Sequence, residues 1–515
     1  MLKIGTISLL LLIGAAANAQ SPINQWYSFG LTQSIFGNVI ATDSCYYATG
    51  LGASTVSGIW DAGFYKIGFD GTILSESYLH NDTVSINHFS AIGNSFIPTN
   101  DGNFAALAVQ FPYYRFIKYS PSGDTIFTKL ITDFYDNDGY SAYQAGDLIQ
   151  INDDGSFTCT GWVAYNSEMQ SGVHLFNISA SGDVNFSSTF FCENAVYTQH
   201  IPAGLIKTAD GYVVSTSLTK VGSPIDQKRH VRFITTDNFG NEIATKTFWD
   251  EASEVFPRGF LQTEDGGYIH GGLVGDYSAP LNTNKFLGQV VKMDENFERV
   301  WQTALGDSLD MNYIHVNNIV TVDNGYVATG FSYVDSMICG WMYNLDLDGQ
   351  VIWDSYFSFV PDTSFNFPEH RFYDLEKTPD KGFVMVGQAW NTQTTLEGNP
   401  GNFAWLVKTD SVGCLVPGCQ DFLETSKAEI PAIKLNTFPN PTSGILNIHY
   451  YDPNFTGKAK MVVFDLQGKQ IKSWDLFAND MTYVYDVSGL KAGTYFIEII
   501  LDGTSQANSR FIVSH

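Results

Sequence analysis

The chain of 515 residues carries 27 basic and 53 acidic side chains, a formal charge of −26, with 15 % aromatics and 47 glycines. So acidic a surface repels phosphate backbones and anionic lipid, which excludes nucleic acid as a partner. The length exceeds one ordinary core unless the core is a closed repeat, and the composition predicts short strands joined by tight turns, an all-β fold.

Residues 1–20 predict a secretory signal peptide. Lys3 supplies the positive charge, Ile7 to Ile13 is almost wholly apolar, and Ala17-Asn18-Ala19 is a small-x-small cleavage site. The apolar run is too short to span a bilayer and no other candidate follows, so the expectation is a soluble monomer with no transmembrane segment. No cysteine follows the cleavage site, which argues against a lipid anchor. Removing this segment takes away Lys3 and no acid, leaving −27. Residues 434–515 balance seven basic against seven acidic residues, so the excess acid lies before them.

One motif then recurs seven times. Its cleanest copy, Thr321-Val322-Asp323-Asn324-Gly325-Tyr326-Val327-Ala328, sets an Asp-Asn-Gly turn between two apolar segments, a strong hairpin signal. Aligned on the aromatic, the copies fall at Tyr46, Phe104, Phe157, Tyr212, Tyr268, Tyr326 and Phe383, separated by 58, 53, 55, 56, 58 and 57 residues. A third apolar segment, a Gly-containing turn such as Asp346 to Gly349, and a fourth segment complete each repeat. Four antiparallel strands per repeat predict a seven-bladed β-propeller over residues 21–419.

The ends of the repeat region fit a ring. Repeat seven lacks a fourth strand after Gly413, while Gln25-Trp26-Tyr27-Ser28-Phe29 is a spare one resembling Val300-Trp301-Gln302-Thr303. It is expected to close the last blade, leaving neither edge of the joint open. Phe127, Phe186, Trp301 and Trp353 share one place on the fourth strands and are expected to be buried in blade-to-blade packing.

Cys414 and Cys419 in Gly413-Cys414-Leu415-Val416-Pro417-Gly418-Cys419 predict a small disulfide loop, with free thiols or an incomplete metal pair as alternatives. Cys159 reads as a buried thiol. Residues 420–433 lose the repeat and read as a linker. From 434 a second domain of short alternating strands, ending at 515, predicts a small Ig-like β-sandwich.

This second domain carries a set of motifs: Phe438-Pro439-Asn440-Pro441 with Gly444, Asp465 with Gly468-Lys469, and Leu490 with Gly493-Thr494-Tyr495, before Arg510-Phe511-Ile512-Val513. In order and spacing these resemble the type A sorting domain of the type IX secretion system of Bacteroidota. The resemblance implies export through the periplasm and across the outer membrane, with that machinery as partner. Removal of the domain and release or surface attachment would follow. The cysteine loop is also similar to loops such cargo carries.

Searches for chemistry return little: no Gly-x-Ser-x-Gly, no His-Glu-x-x-His, no phosphate loop and no paired Cys-x-x-Cys. No catalytic residue, metal ligand or cofactor is therefore assigned. Asp136-Asn137-Asp138-Gly139 and Asp346-Leu347-Asp348-Gly349 read as turns, with weak calcium binding as the alternative. The variable loops gather on one rim, the expected binding face. His80, His88, His200, His315 and His370 fall in blade-to-blade connections there. Of these, His88, His200, His315 and His370, with Arg258 and Arg371, precede their repeat aromatics by 10 to 16 residues and form a candidate cationic collar for an anionic ligand. The alternative is that they hydrogen-bond loop carbonyls. His270 reads as a satisfied core histidine. The expected function is a secreted or surface-displayed module that binds an extracellular protein or glycan; the alternative is a polysaccharide hydrolase or lyase.

Overall fold

The computed structural model describes residues 22–29, 33–53, 59–88, 94–151, 155–165, 171–191, 197–220, 229–248, 253–276, 286–306, 311–334, 337–358, 369–391, 401–415, 434–451, 459–476, 480–501 and 504–514. The expected signal peptide, the expected linker and Cys419 lie outside these. The described residues are almost all β, in a propeller-like arrangement of antiparallel sheets.

Four sheets of four strands each cover Phe96–Ile131, Tyr140–Phe190, Tyr197–Phe248 and Ser253–Leu305, each a plain meander. A twelve-stranded sheet holds three further four-stranded runs, joined only by single parallel pairs, Ile338 with Glu369 and Gln33 with Asn402. The first strands of the seven runs are Gln33–Ala41, Phe96–Pro98, Tyr140–Ile151, Tyr197–Lys207, Ser253–Gln262, Met311–Val322 and Glu369–Lys377. Each touches its neighbour in this series, and the last touches the first.

The repeat aromatics open the second strands, and all seven are buried: Tyr46, Phe104, Phe157, Tyr212, Tyr268, Tyr326 and Phe383. Strand alternation sends one side of each sheet into the core shared with the preceding run and the other into the core shared with the next. The turn that precedes the aromatic has its own lock. In Thr99-x-Asp101, Thr263-x-Asp265 and Thr378-x-Asp380 the threonine hydroxyl bonds the aspartate, whose other oxygen takes Lys118, Lys292 or Lys408 from the third strand.

The outer strands pack sideways on the next run's turn. The ring of Trp301 lies where a Cβ on Gly349 would approach to 2.6 Å, and Thr303 Oγ1 donates to the Gly349 carbonyl at 2.5 Å. Trp353 lies likewise against Gly413, and Phe186 against Gly240. Of the four only Trp353 is buried; Phe127, Phe186 and Trp301 stay half-buried, short of the burial expected for them. The strand Ile23–Tyr27 pairs antiparallel with Gly401–Thr409, from Ile23 opposite Lys408 to Tyr27 opposite Ala404. Tyr27 donates its hydroxyl to the Gly71 carbonyl at 2.8 Å, so this strand meets the first run's turn as the other outer strands meet theirs.

The described residues between 434 and 514 form two sheets, one of three strands and one of four, around a single core that includes Leu446, Tyr450, Met461, Ile497 and Phe511. One expected turn is instead helical. Asp133–Asp138 is a short α-helix ended by Gly139 at φ 73, whose N–H reaches the Tyr135 carbonyl at 2.9 Å. The left-handed glycine is a common helix stop, and it looks the same in sequence as a turn glycine.

Candidate functional site

The innermost strands share a defect. Pairing with the second strand slips between Phe36 and Asn38, Ala145 and Leu148, Pro202 and Gly204, Arg258 and Phe260, Val316 and Asn318, and Phe372 and Asp374. A bulge at the same depth re-aims the next side chain and frees backbone N–H groups for other acceptors. Two aspartates use this freedom. Asp147 accepts the N–H of Asn94 through Oδ1 and that of Leu205 through Oδ2, both at 2.6 Å, tying the runs on either side. Asp374 accepts Val39 N–H at 2.8 Å and Asn38 Nδ2 at 3.4 Å through Oδ2, and Asn318 Nδ2 at 2.5 Å and Leu375 N–H at 2.9 Å through Oδ1. Ser95 donates to Asn38 Oδ1 at 3.0 Å, and Asn317 Nδ2 to the Phe372 carbonyl at 2.6 Å. This belt is what holds neighbouring runs together at the inner surface.

Burial raises the carboxyl of Asp147 to about 6, its two N–H donors pulling the other way by less, and burial raises Asp374 as well. Glu376, next inward on the same strand, is pushed to about 8 by burial and by the Asp374 charge. The oxygens of both aspartates are committed to structural donors, so neither is placed as a hydrolytic acid or base.

Nearer the start of the same strands lies a cationic and aromatic cluster. Arg371 sits 4.8 Å from the Phe331 ring centroid, and His315 stacks on the same ring at 4.4 Å. Arg371 Nη2 pairs with Glu369 at 2.7 Å. Arg258 Nη1 donates to Asn317 Oδ1 at 3.3 Å. Tyr373 joins the two cations: burial raises its hydroxyl to about 12, while the charges of Arg371 and then Arg258 pull it down. Two of the six collar residues, His315 and Arg371, thus share the Phe331 ring, and Arg258 on the preceding run reaches Asn317.

The remaining collar residues do not join them. His370 is buried, points its Nδ1 at the Ile338 carbonyl and meets the edge of Trp405 at 5.2 Å. It adjoins Arg371 on one strand, and adjacent residues face opposite sides. His88 is buried beside Tyr119, and burial lowers it to about 4, so it stays neutral near pH 6. His200 lies on the strand Tyr197–Lys207 opposite Leu218, its side chain outside the described residues. His80 is held between Asp61 at 2.6 Å and Asp82 at 3.1 Å, away from the cluster. Phe331 was not legible as a site residue, since only inter-run contact brings it to Arg371, whereas Glu369 and Tyr373 flank Arg371 on its own strand.

Other predicted residues have structural work. Asp346 Oδ1 accepts the N–H groups of Asp348 and Gln350 at 3.0 and 2.7 Å, closing its own turn. His270 is buried with Nδ1 3.1 Å from the Gly271 carbonyl, and Cys159 is a buried free thiol. Cys414 is disulfide-bonded; its proposed partner Cys419 is outside the described residues.

In the second domain the motif residues make the frame. Asn440 Oδ1 accepts Ile512 N–H at 2.8 Å and its Nδ2 donates to the Arg510 carbonyl at 2.8 Å, with cis peptide bonds before Pro439 and Pro441. The Gly444 carbonyl accepts Val487 N–H at 2.7 Å. Asp465 caps its turn by accepting Gln467 and Lys469 N–H groups, and Gly468 supplies the left-handed residue at φ 75. Gly493 pairs with Val513, and Tyr495 donates to the Lys491 carbonyl at 2.9 Å while stacking on Phe511.

Residues 436–514 match the family model described as a secretion system C-terminal sorting domain. The chain carries an export address. It is therefore directed out of the cell to the surface or the medium by the secretion machinery that reads this domain, and among the described residues no helix is long and apolar enough to cross a membrane. No curated protein sequence matches the chain. Among solved structures it is similar to the β-propeller domain of the Trilobed protease from Pyrococcus furiosus (9 % identity, TM-score 0.37, 73 % of this chain and 94 % of that one). It is also similar to Drosophila Plexin A in complex with Semaphorin 1b (8 %, 0.42, 79 % and 88 %). A third is Pyrococcus horikoshii acylaminoacyl peptidase (10 %, 0.39, 84 %), of which the chain spans 59 % of the length.

Proposed function

We propose that the chain is an exported binding protein: a signal peptide at 1–20, a seven-bladed β-propeller at 21–419 closed by its N-terminal strand, a linker at 420–433 and an Ig-like sorting domain at 434–515. The route is the type IX secretion system of Bacteroidota, and the destination is the cell surface or the medium beyond the outer membrane. The observation that carries this is the match of residues 436–514 to a secretion sorting domain. Support for the ring comes from the unbroken series of inner-strand contacts and from the pairing of Ile23–Tyr27 with Gly401–Thr409.

The propeller binds an extracellular protein or glycan through its loop rim and inner mouth. Support for binding over hydrolysis comes from Asp147 and Asp374, whose oxygens are committed to holding runs together. Deleting residues 434–515 tests the route: the ring should fold, stay in the periplasm and vanish from the cell surface and medium. Surface display of the truncated chain would overturn it.

A further inference from the structure

We infer that the loop rim where the second run meets the third is a stacking site for a neutral glycan, with a pyranose ring laid against Phe111 and Tyr143. This rests on the reading of the propeller as a binding module and names the ligand class and the place. Phe111 follows the second strand of its run, Phe104–Gln110; Tyr143 lies on the inner strand Tyr140–Ile151 and Trp162 near the end of Ser156–Tyr165. Pairing passes from Ala142 opposite Val163 to Gln144 opposite Trp162, so Tyr143 is the extra residue of a bulge. A bulge re-aims a side chain. Here the Tyr143 ring meets Phe111 at 5.7 Å, with planes at 78°, and Trp162 at 5.3 Å. Phe111 is 51 % exposed and Tyr143 43 %, values that leave both rings open to a ligand. Trp162 is half-buried with its indole N–H covered and unpartnered, so it backs the other two as carbon. The frame beneath is fixed: Ala142 N–H donates to the Pro112 carbonyl at 2.8 Å, and the Tyr114 hydroxyl to the Trp162 carbonyl at 3.0 Å.

The face of an aromatic ring is electron-rich and attracts the weakly positive C–H bonds of a sugar ring, and an aromatic side chain gives up few rotamers when it is covered. The two nearly perpendicular rings offer a pyranose one face to stack on and one edge to abut. Among the described residues the Tyr143 hydroxyl and the Gln144 side-chain amide make no hydrogen bond, which leaves both for sugar hydroxyl groups. Size favours a sugar over a protein. Every other exposed large apolar side chain described in the ring, Tyr333 of the sixth run apart, stands on an outer strand or on a third-to-fourth turn. The patch is therefore an isolated group of three rings, whereas a stable protein interface covers about 800 Å² on each partner. Charge favours a neutral ligand, because the −26 of the chain repels a polyuronate or an acidic peptide.

The test uses the full chain, titrated by calorimetry with cellohexaose, xylohexaose and maltohexaose, and with trigalacturonate as the anionic control. At least one neutral oligosaccharide should bind, and more tightly than trigalacturonate. Phe111→Ala and Tyr143→Ala should each weaken the best of them by about tenfold. Tyr143→Phe, which keeps the ring, should stay within about threefold of wild type, while Tyr143→Leu, apolar but without a π face, should fall with Tyr143→Ala. Both positions are exposed, so urea midpoints should stay near wild type; if Tyr143→Ala melts early, Phe111→Ala carries the test. No binding of any neutral oligosaccharide overturns the proposal, as does trigalacturonate binding as tightly as the best of them. Affinity unmoved by both alanine changes overturns the site, and wild-type affinity in Tyr143→Leu overturns the stacking. A protein partner lost on Tyr143→Ala, with no sugar bound, makes the patch a protein contact and overturns the glycan. Each of these leaves the binding-module reading standing; that reading falls only if glycan-array and pull-down screens of the same chain are both blank.

Discussion

Tyr27→Ala should destabilise the whole ring, although Tyr27 lies beside the N-terminal edge of the described chain. Its side chain is buried, tilted against Phe36 at 5.6 Å, and its hydroxyl donates to the Gly71 carbonyl at 2.8 Å. Truncating a buried aromatic costs about 3–5 kcal/mol, and the lost hydrogen bond about 1 kcal/mol. Tyr27→Phe isolates that hydrogen bond and should cost about 1 kcal/mol. Both are read as urea midpoints at fixed slope, followed by tryptophan fluorescence. Deleting residues 21–30 should lower the midpoint far more than deleting 420–433. The reasoning is refuted if the two deletions melt together, or if Tyr27→Ala costs under about 1 kcal/mol, a typical surface value.

Other consequences follow from the belt and the turns. Asp147 has a folded pKa of about 6 against about 4 for a free carboxyl, so the protonated form favours the fold. Its contribution is complete below about pH 4 and is lost as pH rises to about 6, an effect of about 3 kcal/mol that Asp147→Asn should remove from the pH profile of stability. Lys408, wholly buried and 3.0 Å from the nearly buried Asp380, should cost about 3–5 kcal/mol as Lys408→Met, because an unpaired charge is left behind. The equivalent Lys118→Met, whose partner Asp101 is half exposed, should cost about 1 kcal/mol or less by the same melts. In the sorting domain, Asn440→Ala removes both bonds to the strand Thr504–Val513 and should lower that domain's midpoint, with Asn440→Asp, which keeps the acceptor, falling between.

The repeat was legible because the turn chemistry and the following aromatic are both local: Asp323-Asn324-Gly325-Tyr326 announces a hairpin and a buried ring without any distant partner. The sorting motifs were legible for the same reason, since Asp465 and Gly468 make their own turn. The collar was legible only in part. Counting residues back from the aromatic finds the inner strand, but a bulge in most inner strands shifts which side chains look inward, and no composition marks it. Ahead of the bulge, plain alternation already sends His370 into the core beside Trp405 and Arg371 to the other side, over the Phe331 ring. Phe331 gained its place beside Arg371 from the neighbouring run, which spacing along one strand does not report. The Asp133–Asp138 helix was hidden because its stop signal, Gly139, is also a turn signal.

The most direct test of the account transplants the address. Residues 434–515 are fused behind a signal peptide and an unrelated soluble passenger in a Bacteroidota cell with a working type IX system, and the passenger is followed by fractionation and protease access. The account predicts a passenger outside the outer membrane that returns to the periplasm when the secretion machinery is disabled. A passenger retained in the periplasm with the machinery intact would contradict it.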